Sequence, residues 1–378
     1  MSRRVLFVLM LLCALAVLMP RAWAQWPPET DPPTGVITHD IKLSWDRSSL
    51  PGDTEIMAPR TLIAYDQVPA KGYGMLYLTC ASRSDSATGR CETEDLAALQ
   101  GNGTAIPLRF QEKRGGMTRD LLVNGALYRA DVSQRCDLGF WRSLTYRLES
   151  SESGMCVAEK PGGTGLGLVL HATELSGLVA GTWLGTLELD LRMPPSWHLA
   201  KYVFNFEFTV TDYDAISIYF PAFDTVAPLV NMDLRYDPIK QMVGGRKQLE
   251  MCLYDGLGSQ SEFLGVTVRD SGPRPPPGSD FAVWHRDGGS DDRQRLDYHV
   301  SLNYGGRDIR MRHGVEELLH GIDSAELRLV MLPGISQPVY CVPTPLTLLT
   351  PPTPVASKRP GLYEGELTVE LRVPTAKP

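Results

Sequence analysis

The sequence predicts an all-β protein built from two Ig-like β-sandwich domains in tandem. Glycine, proline and serine residues interrupt it at short intervals, and alternating apolar runs lie between them, a pattern typical of strands joined by turns. Residues 201–210 alternate most clearly, with aromatic and apolar side chains on one face and mostly polar ones on the other. Two stretches, GTWLGTLELDLR (181–192) and GLYEGELTVELR (361–372), repeat a glycine turn followed by an alternating strand. This repeat predicts one corresponding strand in each sandwich.

Residues 1–24 have the pattern of a secretory signal peptide. Arg3 and Arg4 precede an apolar run that ends in the small-residue sequence Ala-Trp-Ala at 22–24. We therefore expect an exported mature chain that begins at Gln25. Without the three arginines of the signal the formal charge falls from −7 to −10, which argues against a nucleic-acid partner.

The mature chain is long enough for two hydrophobic cores. A polar turn after the aromatic run places a first domain at 25–212, a linker at 213–217 and a second domain at 218–378. Helical periodicity appears only in short pieces such as 315–320, and the proline-rich segment 341–354 is expected to form an edge strand. Apart from the repeat, strands are predicted at 36–45, 76–80, 105–111, 120–122, 166–171, 201–210, 216–220, 230–236, 248–254, 264–269, 298–303, 326–331 and 346–349.

Six cysteines follow the signal, an even number that suits an oxidising compartment. Pairing by nearness would join Cys80 to Cys91, Cys136 to Cys156 and Cys252 to Cys341, although six cysteines allow many other connectivities. No two of them have the two-to-four-residue spacing of a zinc site. We therefore expect disulfides and no metal.

The last predicted strand leaves the second sandwich one strand short. Leu367, Val369, Leu371 and Val373 share one face, and only five residues follow, whereas an Ig-like sandwich normally has another strand after such an element. The open edge and apolar groove would be an aggregation hazard unless another polypeptide filled them by donor-strand complementation. The alternative is that the second domain closes itself in another strand order.

Several segments resemble one known family. VGGRKQLEMCLYDG (243–256), ISIYFPAF (216–223), PVYCVP (338–343) and the closing GLYEGELTVEL resemble the C-terminal pilin domain of class 5 fimbrial tip adhesins, a family that includes the cable-pilus biogenesis initiator. In the first half, IPLRFQEKR (106–114) and FNFEFTVTD (204–212) are similar to the same family. The resemblance covers nearly all of the mature chain.

The resemblance implies a minor subunit at the fimbrial tip on the cell surface, exported through the periplasm, with an N-terminal adhesin domain and an incomplete C-terminal pilin fold that lacks its last strand. It implies assembly by the chaperone-usher route: a periplasmic fimbrial chaperone caps the groove, and at the outer-membrane usher the major pilin subunit then donates the missing strand. Leu367, Val369, Leu371 and Val373 would line that groove. Family members use exposed arginines against host glycans; here only Arg192 matches, so the host glycan or protein receptor is expected to differ.

Other motifs give little support for catalysis, and no cofactor is expected. HGVEELLH (313–320) lacks the HExxH spacing of zinc enzymes and suits a solvated helical turn. GGTGLG (162–167) has no strand-turn-helix context and suits a flexible turn, while DGGSDD (287–292) lacks the pattern of an EF-hand. We expect no enzyme activity. The alternative is a secreted β-sandwich carbohydrate-active enzyme, because two carboxylates brought together only by folding would leave no sequence signal.

Overall fold

The computed structural model describes residues 26–97, 101, 103–131, 139–152, 154, 160–225, 227–273 and 281–374. Strands dominate these residues, and the predicted all-β fold of two Ig-like sandwiches is confirmed. No helix within the described ranges is long and apolar enough to cross a membrane.

The first sandwich is formed by nine strands that follow one another around a single continuous sheet. Their order is β1-β9-β8-β4-β5-β7-β2, with β3 paired to β8 and β6 to β5. The strand β1 runs parallel to β9, and β8 runs antiparallel to it. The bounds are β1 (Gly35–Asp46), β2 (Thr54–Tyr65), β3 (Tyr77–Thr79), β4 (Thr104–Glu112), β5 (Thr118–Ala130), β6 (Trp141–Tyr146), β7 (Gly163–Leu170), α1 (Ala172–Leu175), β8 (Gly181–Met193) and β9 (Trp197–Thr211).

The second sandwich contains three hydrogen-bonded sheets. Their orders are β10-β13-β20-β19, β11-β12-β21-β16-β15-β22 with β17 beside β16, and β18-β14-β23. The bounds are β10 (Ser217–Tyr219), β11 (Arg235–Asp237), β12 (Met242–Leu249), β13 (Cys252–Tyr254), β14 (Phe263–Asp270), β15 (Phe281–His285), β16 (Arg295–Tyr304), β17 (Arg307–Arg310), β18 (Glu317–His320), β19 (Arg328–Val330), β20 (Val339–Pro343), β21 (Leu346–Pro354), β22 (Tyr363–Glu364) and β23 (Leu367–Arg372).

Alternation along β9 builds much of the first core. Phe204 and Phe208 are fully buried, and Phe110 of β4 stacks on Phe208 with ring centroids 5.1 Å apart. The intervening residues of β9 face outward and are mostly polar. The period-two pattern in the sequence therefore corresponds to one packed face and one solvated face.

Arg129 is a fully buried cation in this first core. Its guanidinium donates hydrogen bonds to the carbonyl oxygens of Leu76 (2.8 Å) and Ser150 (2.6 Å) and to Oγ1 of Thr164 (2.7 Å). Burial lowers the pKa of Arg129 to about 10. The side chain thus ties three separate segments together through their otherwise unpaired acceptors.

The two sandwiches meet where β9 ends. A 3₁₀ turn (Tyr213–Ala215) leads from β9 into β10, and the backbone N–H of Asp212 donates to the carbonyl oxygen of Gly256 at 2.8 Å. Burial raises the pKa of Asp46, but hydrogen bonds from Ser48, Thr211 and Tyr213 outweigh burial and lower it to about 2. The exact boundary at 213–217 stays a prediction.

Residues 341–354 do not form an edge strand, so that prediction is wrong. They contribute to β20 and β21, and β21 lies between β12 and β16. Its residues 346–349 pair on both sides, whereas the proline-rich end, residues 350–354, pairs with β12 alone. The prolines are tolerated because they lie where the ladder needs donors on one side only.

Two other local predictions are also wrong. GGTGLG is largely strand β7, not a flexible turn; a Cβ on Gly165 would lie 2.6 Å from the ring of Trp141, so packing against an aromatic ring explains that glycine. HGVEELLH ends in strand β18, not in a helical turn. Leu319 is buried while Leu318 is 44% exposed, which is strand alternation set by pairing with β14.

Candidate strand-acceptor site

The two repeated stretches adopt the same backbone at their opening glycine. Gly181 has φ +146° and Gly361 has φ +151°, a region that side chains other than glycine rarely adopt. A Cβ on Gly181 would lie 2.9 Å from the Glu112 side chain, and one on Gly361 would lie 2.0 Å from Nε2 of His285. Both positions therefore require glycine for conformation and for space.

The strands after these glycines also pair in the same way. The first part of β8 pairs with β4, where Trp183 faces Glu112, and its last part pairs with β3. In the second domain Tyr363 of β22 faces His285 of β15, and β23 then pairs with β14. The sequence repeat thus marks structurally corresponding strands, β8 in the first sandwich and β22–β23 in the second.

The other edge of these strands is where the two domains differ. β9 covers β8 along its whole length, from Gly181 to Met193. β23 pairs with β14, and no other strand among the described residues pairs with it. One edge of β23 therefore presents backbone N–H and C=O groups without a strand partner.

Apolar side chains accompany this unpaired edge. In β8 the inward side chains Leu187, Leu189 and Leu191 are fully buried. The corresponding side chains of the terminal segment are only half-buried, although they pack against the second core; they are Leu367, Val369, Leu371 and Val373. Other half-buried apolar residues on that core come from the start of the domain and include Phe220, Phe223, Val230 and Met232. We call the open edge with these side chains the acceptor strip.

The outward face of β23 is polar and held by ion pairs. Arg372 Nε lies 2.6 Å from Glu316 Oε1, and Glu370 lies 3.4 Å from Arg269. The hydrogen bond between Arg372 and Glu316 lowers the pKa of Glu316 and raises the pKa of Arg372. The strand therefore has one solvated charged face and one apolar face, so that an added strand would extend an ordinary sandwich.

Arg192, the receptor-binding residue suggested by the resemblance, is half-buried and already paired. Its Nε donates to Thr79 Oγ1 at 3.1 Å, and its Nη2 lies 3.2 Å from Asp190 Oδ2. Beside it, at the tip of the β8–β9 hairpin, Trp197 is 62% exposed. The sequence analysis did not single out Trp197, because its exposure depends on where the hairpin turns.

Two disulfides are present in the described part of the chain. Cys80 is bonded to Cys91, and Cys252 to Cys341. Cys136 and Cys156 lie outside the described residues, so their pairing stays a prediction. The second disulfide links β13 to β20 and lies against the first core, where it fixes the junction side of the second sandwich.

The residues that could suggest chemistry do not converge. His313 lies 3.2 Å from the Asp270 carboxylate, Glu316 binds Arg372, and the ring of His320 packs against Phe263. Over the ranges that the structure describes, no group of three or more His, Cys, Asp or Glu side chains is arranged to hold a metal ion.

Comparison with known proteins identifies the family. The family model for the first domain of CfaE, a CFA/I fimbrial subunit, matches residues 20–213, and the model for the second domain of CfaE matches residues 216–375. The chain belongs to the CfaE family of CFA/I fimbrial subunits. The resemblance to class 5 fimbrial tip adhesins is thereby confirmed. Family membership supports a tip adhesin and gives no support to a secreted carbohydrate-active enzyme.

Individual relatives agree with this assignment. The CFA/I fimbrial protein CfaE of Escherichia coli is 27% identical over 308 residues, which cover 79% of this chain and 80% of that protein. The crystal structure of CfaE, the adhesive subunit of CFA/I fimbria of enterotoxigenic E. coli, has a TM-score of 0.71 at 24% identity over 93% and 95% of the two chains. A tip adhesin solved in a chaperone complex has a TM-score of 0.67 at 23% identity over 93% and 99%. These structures share the fold.

Proposed function

We propose that this protein is a minor fimbrial tip subunit that initiates pilus assembly by accepting a donor strand at the acceptor strip. A periplasmic fimbrial chaperone fills the strip first, and at the outer-membrane usher the N-terminal segment of the major pilin subunit replaces it. The protein is exported through the periplasm and reaches the fimbrial tip, where its first domain binds a receptor on the host surface. It has no catalytic role.

The observation that carries this proposal is the contrast between β8 and β23. The chain shows what a completed edge looks like, because β9 satisfies the backbone of β8 and covers its leucines. The corresponding strand of the second domain lacks such a cover among the described residues. A solved relative in a chaperone–tip adhesin complex supports a chaperone as the first occupant.

The N-terminal segment supports a position at the tip. Thr30 and Tyr65 exchange two backbone hydrogen bonds of 2.8 Å, and β1 pairs with β9 over twelve residues, from Gly35 to Asp46. A pilin in the shaft must give its N-terminal segment to a neighbour. Here residues 30 and 35–46 are part of the first sandwich, so the protein accepts a strand without donating one.

The proposal is tested by chaperone capture of the full chain. The wild type, Leu371→Asp and the control Thr368→Asp are expressed in a periplasm with and without the fimbrial chaperone, and the chaperone that co-purifies is measured. Asp at 371 would place an unpaired charge under the incoming strand, a penalty of several kcal/mol, so capture should fall by more than about 100-fold. Thr368 lies on the exposed outward face of β23, so its variant should be captured normally.

Two outcomes would contradict the proposal. One is a soluble, monomeric wild type that needs no partner, which would mean that the second sandwich closes itself. The other is unchanged capture of Leu371→Asp. A milder variant, Leu371→Thr, guards against simple misfolding, because it introduces a β-branched side chain that suits a strand and should weaken capture without abolishing the complex.

A further inference from the structure

A polar groove crosses the outer face of the first sandwich where β1, β9 and β8 lie side by side. It has a volume of about 340 Å³, within the range of small-molecule sites. The backbone of Gly185 and Phe206 lies at its base. Six side chains from the three strands line it, namely Asp40 and Lys42, Asn205 and Glu207, and Leu184 and Thr186.

Hydrogen bonds hold the polar side chains of the groove in place. Asn205 Nδ2 donates to Asp40 Oδ1 at 3.0 Å, and Thr186 Oγ1 donates to Asn205 Oδ1 at 3.4 Å. Lys42 Nζ lies 2.6 Å from Glu207 Oε2. Each carboxylate uses one oxygen in these contacts, so the second oxygen can accept from a ligand. The groups are therefore arranged before a ligand arrives, which reduces the entropy lost on binding.

The chemistry of these side chains indicates the class of ligand. Carboxylate oxygens accept hydrogen bonds from hydroxyl groups, while the amide and the ammonium donate to hydroxyl oxygens. Two carboxylates and one ammonium give the lining a net negative charge, which disfavours an anionic ligand. Leu184 is 42% exposed and offers an apolar surface. Adjacent hydroxyls beside a C–H face are the defining features of a neutral sugar ring.

We propose that this groove binds one neutral monosaccharide unit of a surface glycan. The inference rests on the proposed adhesive role of the first domain and names both its ligand class and its site. The groove is built from the middle of the strands, whereas Arg192 lies at the hairpin end of β8, so the two sites can be separated by mutation.

The test uses the full chain purified as its chaperone complex. An array of neutral oligosaccharides ending in galactose, glucose, mannose, fucose or N-acetylglucosamine is compared with sialylated counterparts, and the best neutral ligand is then titrated. Asn205→Ala and Asp40→Asn should weaken binding at least tenfold. The matched control Asn124→Ala removes a half-buried amide from β5, in the other part of the sheet, and should bind like the wild type.

Failure of this inference is distinguishable from failure of the proposed function, because the complex itself reports strand acceptance. With the complex intact, four results would overturn the sugar groove: no glycan bound, preference for sialylated glycans, full binding by both groove variants, or loss of binding in Arg192→Gln with full binding in Asn205→Ala. Chaperone capture equal to that of the wild type shows that each variant is folded.

Discussion

A single methyl group at Gly361 tests whether the terminal strand is fixed as described. In Gly361→Ala the new Cβ would lie 2.0 Å from Nε2 of His285, far inside contact distance. The ring has little freedom to move away, because Nδ1 lies 2.9 Å from Asp287 Oδ1 and Nε2 lies 3.1 Å from the carbonyl oxygen of Pro360. The substitution should therefore destabilise the start of β22 through both the backbone and the ring.

The magnitude follows from two contributions. Forcing alanine to adopt φ +151° costs about 1–3 kcal/mol. Displacing His285 from Pro360 costs about 1 kcal/mol more. Together they amount to about 2–4 kcal/mol of local stability, or about 30- to 900-fold in the opening equilibrium of β22 and its partner β15.

Hydrogen exchange on the chaperone-bound full chain measures this opening directly. Amides of β15 and β22 should lose protection by that factor, while those of β8 and β9 keep theirs. Gly288→Ala is the matched control, because Gly288 also has a positive φ, +82°, but nothing lies within 4 Å of its added Cβ. It should cost about 1–2 kcal/mol. Adding His285→Ala to Gly361→Ala should recover part of the loss. Equal losses in the two glycine variants would refute the predicted clash.

Three further predictions concern the stability of the chain, each followed by urea unfolding. In Asp46→Asn the difference in stability between pH 7 and pH 3 should shrink: the folded pKa of about 2 lies below the ordinary 3.8, so a contribution on the order of 1–2 kcal/mol is present above about pH 4 and is lost as pH falls toward 2. Loss of Cys252–Cys341, separated by 89 positions, should cost about 4–5 kcal/mol, against about 3 kcal/mol for Cys80–Cys91, separated by 11; equal losses would contradict the loop-entropy argument. Arg129→Met should cost at least about 3 kcal/mol, because buried carbonyl groups lose their donors; a loss under about 1 kcal/mol would mean that other donors replace it.

The sequence predicted strands best where one face is buried and the other wet. The strand predicted at 201–210 lies within β9, and the two halves of the repeat became corresponding strands. In both cases the alternation follows from the pleat of a half-buried strand and needs no knowledge of the partner. The glycines of the repeat were informative for the same reason, since their conformation is local.

Local patterns failed where the partner decides the structure. A five- or six-residue apolar run fits a helical turn and a strand equally well, and pairing with β14 made residues 317–320 a strand. The glycines of 162–167 look flexible in isolation, yet the ring of Trp141 packs where a side chain on Gly165 would be. Such contacts join residues far apart in the chain, and a short window of sequence does not contain them.

The sequence by itself determined the pattern of an export signal, the all-β class and the correspondence of two strands, because these depend on short-range composition and periodicity. The tertiary structure alone decided that β9 covers β8 while one edge of β23 has no strand partner among the described residues. It also decided that Asp40 and Asn205, 165 positions apart, share a hydrogen bond in one groove. Pairing across a sheet is set by the register of distant strands, and periodicity within one strand does not specify which strand lies beside it.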